Sequence, residues 1–165
     1  MTSMSFTIRQ ASLADAEQIA VAHLDSIHSL GAKGYPPDVM SVWGAPRDGG
    51  RYRSAMEAGE VFFVAVTGRD AADRVLGFSS HRVEQGQHRT AVYVRGSAAR
   101  MGIGTALFRA AEAVALEQSA NEIHVDASIV AREFYQAQGF RELSRGQHCL
   151  PGDIQMDCVF MKKAL

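Results

Sequence analysis

Apolar residues recur along this chain with two periods, and the switches between the periods divide it into elements. "FTIRQA" (6–11) alternates like a short edge strand. Ser12 then stands as an N-cap, with Asp15 at the capping-box position. Ala16, Ile19, Ala20, His23, Leu24, Ile27 and Leu30 share one helical face, and Gly31 ends that run. "GYPPDVMSVWGAP" (34–46) is turn-rich and holds one short helix, and Gly49 to Ala58 carries a weaker helical pattern. "VFFVAV" (61–66) is a near-continuous apolar strand; the charged turn "TGRDAAD" then leads to "VLGFSSHRV" (75–83) and "HRTAVYV" (88–94). Arg100 to about Ser119 is the longest helix, with Ile103, Leu107, Ala110, Ala111 and Val114 facing a sheet. "EIHVDAS" (122–128) reads as a strand, and "VAREFYQAQ" (130–138) as a helix closed by Gly139 at C′. "RELSRGQHCL" and "QMDCVFMK" form a closing hairpin around Pro151–Gly152–Asp153. The order is β-α-α-β-β-β-α-β-α-β-β, an α+β chain with one sheet.

Composition narrows the classes. The 165 residues fit one domain spanning 1–165. With 47% hydrophobic and 21% charged residues the balance is that of an ordinary globular protein. A net charge of −1 gives no electrostatic reason to expect nucleic acid or an anionic membrane as partner. The apolar run at 61–66 is too short to span a bilayer. "MTSMSFTIR" has no basic stretch followed by an apolar segment, so it does not read as a secretory signal, and a cytoplasmic protein is expected. Two cysteines, Cys149 and Cys158, make no disulfide framework; a cross-strand bridge stays open if they face each other on the hairpin. His148, Cys149, Asp157 and Cys158 gather there without zinc-site spacing, so no metal is expected. Lys162 and Lys163 read as solvated, and His23 as a packed, hydrogen-bonded histidine.

The distinctive local chemistry is a glycine turn. "TAVYV" leads through "RGSAARMGIG" into the long helix. A helix N-terminus carries unpaired N–H groups and partial positive charge, and glycines let phosphate oxygens approach them. Arg100, Met101, Gly102, Ile103, Gly104 and Thr105 therefore form a candidate pyrophosphate site, with Arg100 free to add a direct contact. A tight strand-to-helix turn with no ligand is the plainer alternative. A dinucleotide site is a third: Asp126 lies where a ribose-binding acid would sit, but Leu107 replaces the third glycine and too few elements follow for a doubly wound sheet.

"VYVRGSAARMGIGTALFRAAEAVA" followed by "VDASIVAREFYQAQGF" resembles the GNAT family of acyl-CoA-dependent N-acetyltransferases. That family carries a [Q/R]-x-x-G-x-[G/A] turn after its fourth strand, here Ala99 to Gly104. Downstream it carries an N-x-x-A-x-x-F-Y segment ending in Gly-Phe, here Ser128 to Tyr135 and then Gly139–Phe140. "TIRQASLADAEQIAVAH" is similar to its opening strand and helix. Ala99 stands in place of the leading Gln/Arg, and Ser128 in place of the Asn. The resemblance implies a single-domain GNAT-like fold, a mixed central sheet flanked by helices. It implies acetyl-CoA as co-substrate, and an amine acceptor on a small molecule or peptide. A homodimer is compatible with it.

Acetyl transfer requires a deprotonated amine, a polarised thioester carbonyl and a protonated leaving thiolate. The resemblance assigns the last role to Tyr135, which periodicity alone leaves as a packing tyrosine. It assigns the carbonyl to a backbone N–H near Tyr93 or Val94, and places Ser128 and Phe134 beside the cofactor. For the base, His88 falls where some relatives place a strand-4 glutamate; Glu84 and His81 are alternatives, as is a water relay. Each of the three also reads as an ordinary polar residue in or beside the "VEQGQHR" turn. Relatives close their acceptor cleft with the final hairpin, so the resemblance gives His148 a substrate-side position; it also sets the 34–46 segment, with Tyr35, Met40 and Trp43, over the same site, where plain packing of a short helix is the alternative. Two other classes stay open: a CoA-binding module without catalysis, and a nucleotide or S-adenosylmethionine enzyme resting on Gly102, Gly104 and Asp126.

Overall fold

Alternation along the strands becomes one seven-stranded sheet in a computed structural model of the protein, which describes residues 4–68 and 74–165. The elements are β1 (Thr7–Gln10), α1 (Ala16–Leu30), α2 (Pro37–Trp43), α3 (Gly50–Glu57), β2 (Val61–Thr67), β3 (Arg74–Glu84), β4 (Gln87–Val94), α4 (Ile103–Glu117), β5 (Glu122–Ser128), α5 (Arg132–Ala137), β6 (Arg141–Leu150) and β7 (Ile154–Ala164). The weaker pattern at 49–58 is a full helix, α3, so three helices rather than two separate β1 from β2. Most of the charged turn after β2 lies outside the described residues.

Strand order is β1-β2-β3-β4-β5-β7-β6. β4 and β5 run parallel and the other neighbours antiparallel. The parallel seam is the feature that positions the site. Among the described residues a single register pair, Arg89 with His124, joins β4 to β5. β4 continues to Val94 and β5 to Ser128 without pairing, so the strands part toward their C-terminal ends.

The two faces of the sheet have different covers. Ala16, Ile19 and Ala20 of α1 and Tyr52 of α3 pack on Phe62, Val64 and Phe78. On the opposite face Ile103 and Leu107 of α4 pack on Ala65 and Leu76, while Phe108 of α4 and Tyr135 of α5 meet Ile123, Val125 and Ala127 of β5. Truncating a fully buried leucine such as Leu107 to alanine costs about 2–5 kcal/mol. β5 shows the alternation cleanly: its odd residues are buried against α4 and α5, and its even ones face the α1 side half-exposed.

Local chemistry fixes the entry to α1. Ser12 N–H donates to Asp15 Oδ2 at 2.8 Å, and Arg9 grips both carboxylate oxygens at 2.8 Å. The Arg9 hydrogen bonds, with help from Ser12, hold the Asp15 carboxyl below its usual range. Lys162 and Lys163 are not free in solvent as expected: they pair with Glu122 at 2.9 Å and Glu112 at 2.5 Å. No helix among the described residues is long and apolar enough to cross a membrane.

Candidate active site

At the parting of the seam, the Val92 N–H of β4 donates not to β5 but to the Tyr135 hydroxyl, at 3.0 Å. Successive backbone amides of a strand point to opposite sides. Arg95 N–H reaches Leu76 O of β3 at 2.8 Å, so the Tyr93 amide, two residues earlier, also faces β3. Val94 N–H faces the opening with Val92. Of the expected pair, then, Tyr93 does not offer its amide to the opening and Val94 does. Val92 carries no side-chain chemistry that could have marked it in the sequence. Tyr93 contributes its ring on the α1 face, stacked on Phe78 (centroids 5.5 Å apart) and tilted against His23 (4.1 Å).

Tyr135 is 3% exposed. Burial, and then the neighbouring Tyr93, push its phenol above its ordinary range, so it keeps its proton at neutral pH. The expected packing histidine is present: His23 Nδ1 lies 2.7 Å from the Tyr52 hydroxyl, and burial with Arg47 and Arg51 nearby pushes it down to about 3. Tyr35 donates to Asp157 O at 2.5 Å and accepts from Ile129 N–H at 2.9 Å. It thereby ties the segment before α2 to the end of β5 and to β7. Val39 and Met156 complete that cluster, with Trp43 and Met40 against it.

Above the opening lies the glycine turn. Arg95 is buried, donating from Nε to Val75 O at 2.7 Å, and Gly96 N–H is held by Asp25 of α1 at 2.9 Å. Arg100 (φ +61°) and Gly102 (φ +82°) both adopt the left-handed conformation. Those two bends delay α4 to Ile103, three residues beyond the expected start. The ladder begins with Ala106 N–H to Gly102 O at 3.1 Å, which leaves the N–H groups of Ile103, Gly104 and Thr105 without an intrahelical partner. Amides in alternating right- and left-handed conformation form a concave anion site. The residues present therefore fit a pyrophosphate, with Arg100 and Met101 exposed on the rim.

Gly104 has a second reason to lack a side chain, since a Cβ there would come within 2.9 Å of the Phe134 ring. Thr105 Oγ1 accepts from Gln138 Nε2 at 2.9 Å, which fastens α5 to the start of α4. Ser128, half-buried, closes β5 by accepting from Ala131 N–H at 3.0 Å. The structure thus sets Phe134 against Gly104, fastens α5 to Thr105 and holds the Tyr135 hydroxyl on the Val92 amide beside Val94.

It does not gather the expected bases there. His88 and Glu84 sit at the other end of β4 and β3, on opposite faces of the sheet. His88 lies opposite Val83 on the α4 face, its Nδ1 2.9 Å from Nε2 of buried His81. Burial and His88 keep the His81 imidazole below its ordinary range. Glu84 is exposed and spans Arg82 and Arg89 at 3.4 and 3.5 Å. Their place beside the β3–β4 turn, at the far end of β4 from Val92, separates these residues from the opening.

Parity brings other groups to it. Asp126, on the α1 face of β5, meets Arg89 Nη2 at 2.5 Å through Oδ1 and His148 Nε2 at 3.5 Å through Oδ2. The hairpin register sets Cys149 opposite Gln155 and Cys158 opposite Gly146, so the cysteines do not face each other and both are free. Among the described residues no group of three His, Cys, Asp or Glu is placed to hold a metal ion.

A family model for the acetyltransferase (GNAT) domain matches residues 42–150. The chain belongs to the GNAT family. It is accordingly an acyl-CoA-dependent N-acetyltransferase, and the nucleotide and S-adenosylmethionine readings of its glycine turn fall away. Solved GNAT structures share the fold over nearly the whole chain. A GCN5-related N-acetyltransferase from Rhodopseudomonas palustris superimposes with a TM-score of 0.83 at 24% identity, over 100% of this chain and 99% of that one. The PaiA N-acetyltransferase of Thermoplasma acidophilum, solved with coenzyme A, gives 0.74 at 18% identity, over 98% and 100%. A phosphinothricin acetyltransferase of Sinorhizobium meliloti, solved with acetyl-CoA, gives 0.71 at 18% identity, over 98% and 89%. No curated protein sequence matches the chain. Within this GNAT domain α5 links the parted seam to the turn, through Tyr135 on Val92 N–H and Phe134 against Gly104.

Proposed function

We propose that this GNAT domain transfers an acetyl group from acetyl-CoA to a primary amine on a small molecule or peptide. The observation that carries the reading is the Tyr135 hydroxyl held at the Val92 N–H, inside the seam and beneath the glycine turn. Acetyl-CoA would supply an activated acyl group on a thiolate leaving group. The Ile103, Gly104 and Thr105 N–H groups hold its pyrophosphate, helped by the partial positive charge of α4. Val94 N–H donates to the thioester carbonyl oxygen and stabilises the charge that grows there. Tyr135 Oη gives its proton to the departing sulfur; Val92 N–H, donating to the same oxygen, orients the hydroxyl. A cytoplasmic location, which keeps thiols reduced, suits the two unpaired cysteines. The test is release of free thiol from acetyl-CoA across an amine panel. Amine-dependent release supports the reading, and acetyl-CoA binding without release from any amine contradicts it.

A further inference from the structure

The acyl-transfer reading supplies an acid but no base, and the open seam has two faces. Tyr135 reaches it from the α4–α5 side, where it packs with Phe108, Ile123 and Val125. The Asp126 cluster lies on the opposite, α1 side. Arg89 pairs in register with His124, so Ala91 and Asp126 stand at one level, just below the Val92 amide that holds Tyr135. Arg89 spans the seam there to Asp126. From the hairpin, His148 brings a side chain that is 46% exposed to the other carboxylate oxygen. The cluster therefore borders the reacting groups on the face the acid leaves free.

We infer that His148 is the general base of the acetyl transfer and that Asp126, itself fixed by Arg89, is its positioning residue. The inference rests on the acyl-transfer reading. The Asp126 carboxylate faces Nε2, which favours the proton on that nitrogen and leaves Nδ1 with the free lone pair. The 3.5 Å contact is longer than a hydrogen bond, as such contacts often are before substrate binds. Nδ1 takes one proton from the acceptor ammonium. The nitrogen lone pair then forms the N–C bond to the acyl carbon as the C–S bond breaks. The Tyr135 proton goes to sulfur, the second amine proton restores the tyrosine as the amide forms, and the imidazolium then releases its proton to solvent. Asp126 stabilises the imidazolium without taking its proton. The other groups facing His148 are few. Met156 lies opposite it on β7 and the Phe160 ring meets it edge-on at 6.4 Å; Cys149 adjoins it, exposed, and Cys158 shares its face. Asp157 is occupied by Gln147 Nε2 at 2.8 Å.

The test is kcat/KM against pH for the best amine of the panel, with wild type, His148→Gln and Asp126→Asn, and acetyl-CoA affinity measured for each. His148→Gln should lower kcat/KM about 10²-fold and erase the acid limb of the profile, with acetyl-CoA affinity as in wild type. Asp126→Asn should lower kcat/KM less than His148→Gln, through kcat rather than KM, with acetyl-CoA affinity as in wild type. A structural role alone would instead show as lost stability or acetyl-CoA affinity. A folded His148→Gln protein with wild-type rate and an intact limb overturns the assignment. Should that variant not fold, a wild-type kcat in Asp126→Asn overturns it. If the wild type acetylates no amine, the acyl-transfer reading itself fails and the base falls with it.

Discussion

At the closed end of the β4–β5 seam, titratable groups are plentiful and satisfy one another. His81 meets His88 at 2.9 Å, and Glu122 holds both His124 at 3.0 Å and Lys162 at 2.9 Å. At the open end, donors are left facing a gap. Val94 N–H, the first amides of α4 and the exposed edge of His148 have room for a ligand, and the hydroxyl at the Val92 amide belongs to a buried tyrosine. Richness in acids and histidines therefore says little about where chemistry occurs. What separates the ends is whether the two strands pair: where they do, polar groups are consumed within the fold, and where they part, backbone donors become available.

Several substitutions probe that contrast. The largest effect belongs at the open end. Tyr135→Phe keeps the ring and removes the proton donor, so kcat should fall about 10²-fold or more, roughly 2.7 kcal/mol of transition-state stabilisation, with little change in acetyl-CoA affinity. A steady-state rate paired with a melting curve checks this; a normal rate would reduce Tyr135 to a packing residue.

A smaller effect comes from His23, behind Tyr93. Its folded value near 3 lies below the ordinary 6.5, so below about pH 6.5 the unfolded chain binds a proton that the fold refuses. Stability should therefore decline as pH falls from about 6.5 toward 3, by at most about 1.4 kcal/mol per unit from this residue. Urea unfolding at stepped pH reads that slope, and His23→Leu should flatten it. An unchanged slope in the variant would show that His23 accepts its proton in the folded state.

The smallest effect is expected at the closed end. His88→Ala should change kcat/KM by less than about threefold, since a bystander loses none of the roughly 10²–10⁴-fold contribution of a base. A larger loss with the fold intact would move the chemistry to the wrong end of the seam.

Much of this molecule was legible in the sequence. β5 is bounded where its alternation begins and ends, and the glycine turn lies between a strand and a helix as read. α4 starts later than its pattern predicts because Arg100 and Gly102 take left-handed conformations, and an arginine carries no advance sign of doing so. Tyr135 could be singled out from "FYQAQGF", yet its partner could not: Val92 matters through its amide, which every strand residue has. Linear spacing points to β3 and β4 for a base. Asp126, Arg89 and His148 lie on three strands and meet only through the register of β5 with β4 and β7 with β6, which no local pattern encodes.

The most direct test of the account is an amide-resolved NMR titration of the intact protein with acetyl-CoA. The largest shifts should fall on Ile103, Gly104 and Thr105 at the turn and on Val92 and Val94 in the open seam, with His81, His88 and Arg89 nearly still. Shifts centred on the His81–His88 end, or saturation by acetyl-CoA that leaves the turn amides unmoved, would contradict it.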